Sequence, residues 1–436
     1  MLDRSQTYCI IGAGPAGLCA AVSLKKYGFE FDIIDKGQVV GGIWDIARAD
    51  SAMYESAHFI SSKTLSGFRD FPMPDEYPDY PRHDKILQYI QAYAKKHELE
   101  QYIQFETEVQ QIQPLEKGAL WEVEFADGEK KVYAGVICAT GLTWYPNFPQ
   151  IPGQFTGEMY HSQQYVSMDQ FRDKRVLIIG AGNSGCDIAC DAAKMAKEAY
   201  ISLRRGYHFI PKYIFGKPCD VYAEESMKLP SWLDRRLNEF LIGKILVGDL
   251  EKYGLQKPDH PILTSHPIMN TRILHHLGHG DIAAKRDVKA FEGKKVCFVD
   301  GSELEVDVVV LATGYKRIYP FISDDFLTYK EGVLDLYLEV FDRRYNNLFF
   351  LGGIETDGAA YAILGKQADL VASFLASQEK NPAGYQKFVQ YKSKAYPNLR
   401  GKTSYVNSQR HNHYVKGEVY HRLLDKMLLK QQKQLS

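Results

Sequence analysis

Gly12-Ala13-Gly14-Pro15-Ala16-Gly17 follows the apolar run Tyr8-Cys9-Ile10-Ile11, and Gly180-Ala181-Gly182-Asn183-Ser184-Gly185 follows Val176-Leu177-Ile178-Ile179. Each stretch is a G-x-G-x-x-G turn between a strand pattern and an alanine-rich helix pattern. The first glycine makes the tight turn, the second lets backbone approach a pyrophosphate, and the third lets helix pack on strand. A helix N-terminus then offers bare N–H groups and the positive end of its dipole to phosphates. One such motif is weak evidence. Two in one chain predict an α/β fold with two Rossmann-like units, each holding a dinucleotide. The natural reason to hold two is to move electrons from one to the other.

The end of the second strand reads the ribose in such a unit. After the first turn, Phe29-Glu30-Phe31-Asp32-Ile33-Ile34 ends at Asp35, with Lys36 beside it. A carboxylate there accepts hydrogen bonds from ribose hydroxyls, as FAD or NAD requires. After the second turn, Ala199-Tyr200-Ile201-Ser202-Leu203 ends at Arg204-Arg205, with no acid. Guanidiniums pair with a 2′-phosphate, so NADPH is expected at the second site. Flavin at the first follows from Gly41-Gly42-Ile43-Trp44 and from two Ala-Thr-Gly triplets. These are Ala139-Thr140-Gly141 and Ala312-Thr313-Gly314, each after a β-branched run. Strand followed by a small-residue turn suits a chain that crosses between two nucleotide-binding units.

A chain of 436 residues can build two or three cores. Its net charge of −1 provides no footprint for nucleic acid or anionic membrane. No apolar run reaches the roughly 18–20 residues of a membrane span. A strand pattern at residue 8 leaves no room for a secretory leader, so a reducing, cytoplasmic setting is expected. The seven cysteines are scattered and form no Cys-x-x-Cys. That argues against a zinc site and against the disulfide reductases that share a two-nucleotide architecture. Cys186 and Cys190 are read as small packing residues. His275, His276 and His279 suggest a metal cluster, but no cysteine or nearby carboxylate completes a tetrahedral set, although Asp281 is close in sequence, and Gly278 and Gly280 are expected to break the helix. No metal is expected.

The first flavin segment is expected over 1–168, with a helix near Asp84–Lys96 and strands near Gln104–Gln113, Trp121–Phe125 and Lys131–Cys138. Trp144-Tyr145-Pro146-Asn147-Phe148-Pro149 reads as a linker. The NADPH unit is expected over 169–315, interrupted at about 208–285 by an insertion that is helical around Pro230–Tyr253 and Asn270–Leu277. Tyr207, Phe209, Tyr213 and Phe215 read as a strand with one aromatic face, or as the wall of a substrate channel. The segment 316–436 should return to the flavin domain. It carries a strand and turn at Leu348-Phe349-Phe350-Leu351-Gly352-Gly353, a helix at Ala360–Leu375, and a Lys/Gln-rich tail at Lys426–Gln434.

These residues resemble a known family. Phe155-x-Gly157-x-x-x-His161-x-x-x-Tyr165 is similar to the fingerprint of class B flavin monooxygenases. Gly41-Gly42-Ile43-Trp44, Asp70-Phe71-Pro72-Met73-Pro74, Tyr77-Pro78-Asp79-Tyr80, Ser202-x-Arg204-x-Gly206 and Ala312-Thr313-Gly314-Tyr315 resemble the flavin-containing monooxygenase branch. The Baeyer–Villiger fingerprint usually ends in Trp where this chain has Tyr165, and its N-terminal part is usually longer.

The resemblance implies FAD and NADPH as cofactors and O₂ plus a small nucleophile as substrates. NADPH reduces FAD, reduced flavin and O₂ give a C4a-hydroperoxide, and a sulfide sulfur or amine nitrogen takes the distal oxygen. The cofactor carries the chemistry, and the protein positions it and excludes water. FAD contacts are expected from Gly12, Gly14, Pro15, Ala16, Gly17, Asp35, Lys36, Gly42, Ile43, Trp44, Thr140, Gly141 and Gln367. NADPH contacts are expected from His161, Gly182, Asn183, Ser184, Gly185, Ser202, Arg204, Arg205, Thr313 and Gly314. His161 is read as a hinge that couples NADPH binding to domain geometry. The chain departs from the family where an Asn usually stands three residues before a Lys: Lys63 fits the Lys, but Ile60 replaces the Asn. Ser61, Ser62, His58 or bound NADP⁺ must then stabilise the oxygen adduct, or the enzyme leaks H₂O₂. The rival readings are Baeyer–Villiger oxidation of ketones, a largely uncoupled NADPH oxidase, and a flavin reductase serving a protein partner. The balanced charge does not favour the docking patch the last would need. A homodimer is a family-based expectation.

Overall fold

A computed structural model describes residues 2–226 and 231–435. Its larger sheet runs, by hydrogen-bonded neighbours, Leu336–Tyr337, Phe341–Asp342, Leu348–Phe350, Lys130–Cys138, Leu2–Ile11, Glu30–Ile34, Ile103–Gln104. From Leu348–Phe350 to Ile103–Gln104 the strands are parallel. A hairpin of Val109–Leu115 and Leu120–Phe125 branches from Lys130–Cys138. Period-two burial explains why both faces are covered. Ile10, Ile33, Ile137 and Phe349 face the helices Pro15–Tyr27, Tyr361–Lys380 and Gly417–Leu435. Cys9, Ile11, Ile34, Cys138 and Phe350 face Trp121, Tyr133, Tyr319 and Phe321.

The second sheet is wholly parallel: Ile282–Lys285, Glu198–Ser202, Arg175–Ile179, Val308–Leu311, Glu158–His161. Thus residues 158–161, inside the segment expected for the flavin unit, are hydrogen-bonded into the second unit. So is 153–155, which pairs with Val288–Gly293 of a small four-stranded sheet. The far end of the expected insertion, 282–285, is likewise a strand of the second sheet. In each sheet the first strand of the unit has its second strand on one side and a later strand on the other. That is a topological switch point, where α/β sheets bind ligands beyond the carboxyl ends of the strands.

Several local expectations need correction. Residues 207–215 do not form an aromatic-faced strand. Only Tyr213–Ile214 pairs, in a tight hairpin with Lys217–Pro218; Phe209 is buried while Phe215 is 72% exposed. The chain touches neighbours through isolated bridges at Gly206 and Phe209 instead. Gly278 does not stop the helix Arg272–His279; Gly280, at φ 82°, caps it. Tertiary packing of Ile273, Leu274 and Leu277 outweighs one glycine. Of the helix expected around Pro230–Tyr253, Pro230 lies outside the described residues, and the rest is a helix Ser231–Asn238, a π-helical stretch Glu239–Val247 and a short 3₁₀ turn Leu250–Tyr253, divided at Gly248 (φ 78°). The Lys/Gln tail is no appendage: it closes the helix Gly417–Leu435, whose Tyr420, Leu424 and Leu428 recur every four residues and are buried.

Candidate active site

The carboxyl edge of the larger sheet gathers the first glycine turn. Gly12 sits at φ 112°, and a Cβ there would fall 2.6 Å from the Ala139 carbonyl oxygen. The helix opening at Pro15 has no side-chain cap and no acid in its first turn, so its first N–H groups have no side-chain acceptor. Asp35 is buried at the next strand end and accepts from the Ala13 N–H and the Gly37 N–H, each at 2.6 Å, and from Arg48 at 3.2 Å. A carboxylate has about four acceptor positions, so one stays available to a ribose. Lys36 pairs with Asp50 at 2.7 Å and lies over the Trp144 ring, as does Arg48. The Trp144 indole N–H donates to the Thr140 carbonyl, which ties the Thr140–Gly141 turn to this cluster. The loop with Gly42 and Ile43 closes on Gly14: a Cβ on Gly42 (φ 61°) would lie 3.2 Å from the Gly14 Cα. Trp44 packs its ring 5.2 Å from Phe59. Gln367 is fully buried. Its carbonyl oxygen accepts from the Gly352 N–H at 3.2 Å and its amide donates to the Tyr420 hydroxyl at 2.9 Å. It holds the strand-end turn at Gly352.

The second edge repeats the plan. Gly182 precedes the uncapped, acid-free N-terminus of Asn183–Met195, and Gly185 packs that helix on the turn. Asn183 accepts from the Met269 N–H at 2.7 Å and donates to the Pro267 carbonyl at 3.1 Å, drawing the loop 267–269 over the turn. Ser184 lies against the Tyr54 hydroxyl. Ser202 is buried and donates to the Arg286 carbonyl at 2.7 Å, joining two strand ends. Arg204 is exposed. Arg205 is held in a two-pronged pair by Asp259 at 2.8 to 3.1 Å. The Arg205 hydrogen bond, then that of His260, holds the Asp259 carboxyl down to about 2.

The two edges are tied together. His161 is wholly buried. Its Nδ1 accepts from the Gln163 N–H at 3.2 Å, so the Nε2–H donates to the Gly314 carbonyl at 3.0 Å. Burial lowers its pKa, partly offset by that bond, and a neutral ring committed at both nitrogens shuttles no proton. Thr313 donates to the Asn147 carbonyl at 2.5 Å, and Gln163 reaches the carbonyls of Asp50, Thr143 and Trp144. From the first unit, Tyr54 donates to Asp187 at 3.1 Å and Ser56 donates to Asp191. Both acids lie on the second unit's phosphate helix. Asp187 is partly buried, and burial raises its pKa. Arg48, Asp187 and Asp191 were not singled out from the sequence. Two acids four apart on an otherwise small-residue helix are the clue that was available.

The loop of Ile60, Ser61 and Ser62 lies at this junction. Ile60 is 36% exposed. Ser61 accepts from Ser66 at 2.7 Å, and Ser62 is buried with its N–H donated to Asp220 at 2.7 Å and its hydroxyl unpartnered. His58 is exposed and bonds the Ser56 carbonyl at 2.8 Å. Lys63 donates to the carbonyls of Asp75 and Tyr77, each at 2.5 Å. The insertion packs on this loop region through Asp220, Lys212 and Tyr213, whose partners are Ser62, Tyr80 and Asp79. Among the described residues no group of three or more His, Cys, Asp or Glu side chains could hold a metal. His276 meets Asp281 at 3.0 Å.

Two uncapped helix N-termini, with a buried carboxylate at one second-strand end and a guanidinium at the other, fit FAD and NADP(H). The sequence pattern of the flavin-binding monooxygenase-like family matches residues 5–427. The chain belongs to that family. This flavin-binding monooxygenase-like protein is therefore an oxidoreductase that uses FAD, NADPH and O₂. It is 30% identical over 381 residues to rabbit (Oryctolagus cuniculus) dimethylaniline monooxygenase [N-oxide-forming] 2, covering 82% of this chain and 71% of that protein. Among solved structures it resembles S-allyl-L-cysteine S-oxygenase from Allium sativum, with TM-score 0.65, 21% identity and coverage of 99% and 93%. It also resembles NADP⁺-bound cyclohexanone monooxygenase from Rhodococcus sp. Phi1, with TM-score 0.70, 19% identity and coverage of 98% of each chain. No helix among the described residues is long and apolar enough to cross a membrane.

Proposed function

We propose that this monooxygenase oxygenates soft nucleophiles, the sulfur of sulfides and the nitrogen of amines. The observation that carries the reading is the tie between the edges. Tyr54 and Ser56 of the flavin unit grip Asp187 and Asp191 on the NADPH helix, while His161 bridges to Gly314. Two nucleotides laid on these edges run toward one junction, and that junction carries the loop 58–63. When bound, the flavin supplies the chemistry that activates O₂ with electrons from NADPH. The chain positions and shields. The first turn, Asp35, Gly42, Trp44, Thr140 and Gly141 would hold FAD, and Gln367 would set the Gly352 turn beside it. The second turn, Ser202, Arg204, Thr313 and Gly314 would hold NADPH, with Arg204 as the principal ligand of the 2′-phosphate. Asp259 already neutralises Arg205, which leaves it a minor role.

The names of the rabbit and garlic proteins favour N- and S-oxidation. Baeyer–Villiger oxidation is a second reading, suggested only by the fold. The exposed, apolar Ile60 supports substantial H₂O₂ release, because it offers no hydrogen bond. We place the enzyme in the cytoplasm, in keeping with its free cysteines, and as a homodimer. Leu237, Phe240 and Ile245, all exposed, are the natural surface for the dimer.

The test is turnover with NADPH and O₂ on methyl p-tolyl sulfide, dimethylaniline and cyclohexanone, counting product and H₂O₂ against NADPH consumed. Sulfoxide and N-oxide should exceed lactone, and Ile60→Asn should lower the H₂O₂ fraction. Lactone as the main product, or H₂O₂ equal to NADPH with every substrate, would sink the proposal.

A further inference from the structure

Arg317 lies three residues beyond the second Ala-Thr-Gly, where the chain re-enters the flavin unit. Its side chain is 8% exposed. Nη1 donates to Glu339 at 2.8 Å and Nε donates to the Tyr319 hydroxyl at 3.2 Å. His413 Nδ1 lies 2.9 Å from the same Glu339 oxygen. Nη2 is buried with no partner, the one arginine nitrogen so placed among the described residues. Stripping water from a guanidinium N–H without replacing it is costly, so a buried unmatched donor calls for an acceptor.

The surroundings indicate which acceptor. Nη2 lies against Gly353, where a Cβ would come within 2.7 Å of it; only a glycine leaves that approach open. The neighbouring Gly352 (φ 72°) touches the first phosphate helix, since a Cβ there would lie 3.0 Å from the Ala16 Cβ. Strand Leu348–Phe350 is parallel to Lys130–Cys138, which is parallel to Leu2–Ile11, so Gly352 and Gly353 open on the edge that carries Gly12. That edge offers backbone N–H groups, but its other nearby cations, Lys36 and Arg48, are paired to Asp50 and Asp35. A dinucleotide diphosphate carries two negative charges.

We propose that Arg317 is a diphosphate ligand of FAD, reaching past Gly353 with Nη2 while Glu339 and His413 fix the guanidinium from behind. The inference rests on the flavin reading of this site. It separates from that reading in one experiment: full-length protein stripped of flavin is titrated with FAD by fluorescence quenching, and ADP is used as a competitor. Wild-type protein that fails to take up FAD defeats the monooxygenase reading itself. If it binds, Arg317→Met/Glu339→Gln should weaken FAD at least tenfold and weaken ADP competition in parallel. The paired change removes the stranded buried carboxylate, so the flavin-free melting temperature should hold while the rise on adding FAD shrinks. Gly353→Ala should weaken FAD similarly and add little to the paired variant. Unchanged FAD affinity overturns the proposal. So does a loss confined to FAD with ADP acting equally on both proteins, because the contact would then be with the flavin end.

Discussion

At Gly17 a Cβ would meet the Gly12 carbonyl oxygen at 1.8 Å; at Gly185 it would meet the Gly180 carbonyl oxygen at 2.1 Å. Gly12 and Gly180 take φ 112° and 108° and back onto Ala139 and Ala312, the first residues of the two Ala-Thr-Gly turns. In backbone terms the turns are near copies. What surrounds them differs. The first is closed by four segments: Asp35 with Arg48, the Gly42 loop, the Thr140 turn and the Gly352 turn. The second has an exposed Arg204 at the end of its second strand, with the loop 267–269 drawn in by Asn183, the Thr313 turn behind it and Tyr54 against Ser184. The sharper contrast is at the two second-strand ends, where Asp35 is buried and Arg204 is exposed.

The largest expected effect comes from wedging the turns apart. Gly17→Val forces backbone to move inside the main core, at about 1–3 kcal/mol or more, and should yield little folded, yellow protein. Gly185→Val should leave the protein yellow while flavin reduction by NADPH falls at least 100-fold. Absorbance at the flavin band and anaerobic reduction rates check both. If Gly185→Val also came out colourless, the units would not be independent and the contrast would fail.

Next come the ribose readers. Asp35→Ala strands the Ala13 and Gly37 N–H groups and should weaken FAD by about 10- to 100-fold, from about 1.5–3 kcal/mol for bonds to a charged group. Arg204→Ala should raise the KM for NADPH by a similar factor and leave that for NADH nearly unchanged. An equal rise for both would remove the 2′-phosphate assignment.

The smallest effect is expected at Arg205. Its pair with Asp259 depresses that carboxyl from 3.8 to about 2. A depressed folded pKa means the contribution is whole above about pH 4 and is lost as pH falls toward 2. Near neutral pH the pair is intact, so Arg205→Ala should shift the NADPH KM only a few-fold. Asp259→Asn frees the guanidinium and should lower that KM slightly. An Arg205 effect as large as Arg204's would reverse the ranking. Melting curves between pH 2 and 5 for the wild type and Asp259→Asn should differ only at the upper end.

Much of this was legible along the chain because its determinants are local. A G-x-G-x-x-G turn after an apolar strand needs only backbone sterics and helix polarity, so both turns were read residue by residue, as was the acid-against-arginine contrast at the two second strands. The segment after Gly206 was misread because alternating aromatics imply a strand only if a partner strand exists; none pairs with 207–212, and the chain anchors through single bridges. Gly278 was misread because the helix there is held by its buried face. The exchange of strands between units at 153–161 left no local mark either, since an edge strand reads the same whichever sheet receives it.

Two glycine turns, their order and the charged residue that ends each second strand are therefore set by residue type alone, since each depends on neighbours within about 30 residues. Which of two adjacent arginines stays available, where Gln367 directs its amide, and how Arg317 comes to face the glycine turn 36 positions later were decided only by folding. Those outcomes rest on pairings between residues far apart in the chain, and a linear pattern carries no record of which partner each side chain will meet.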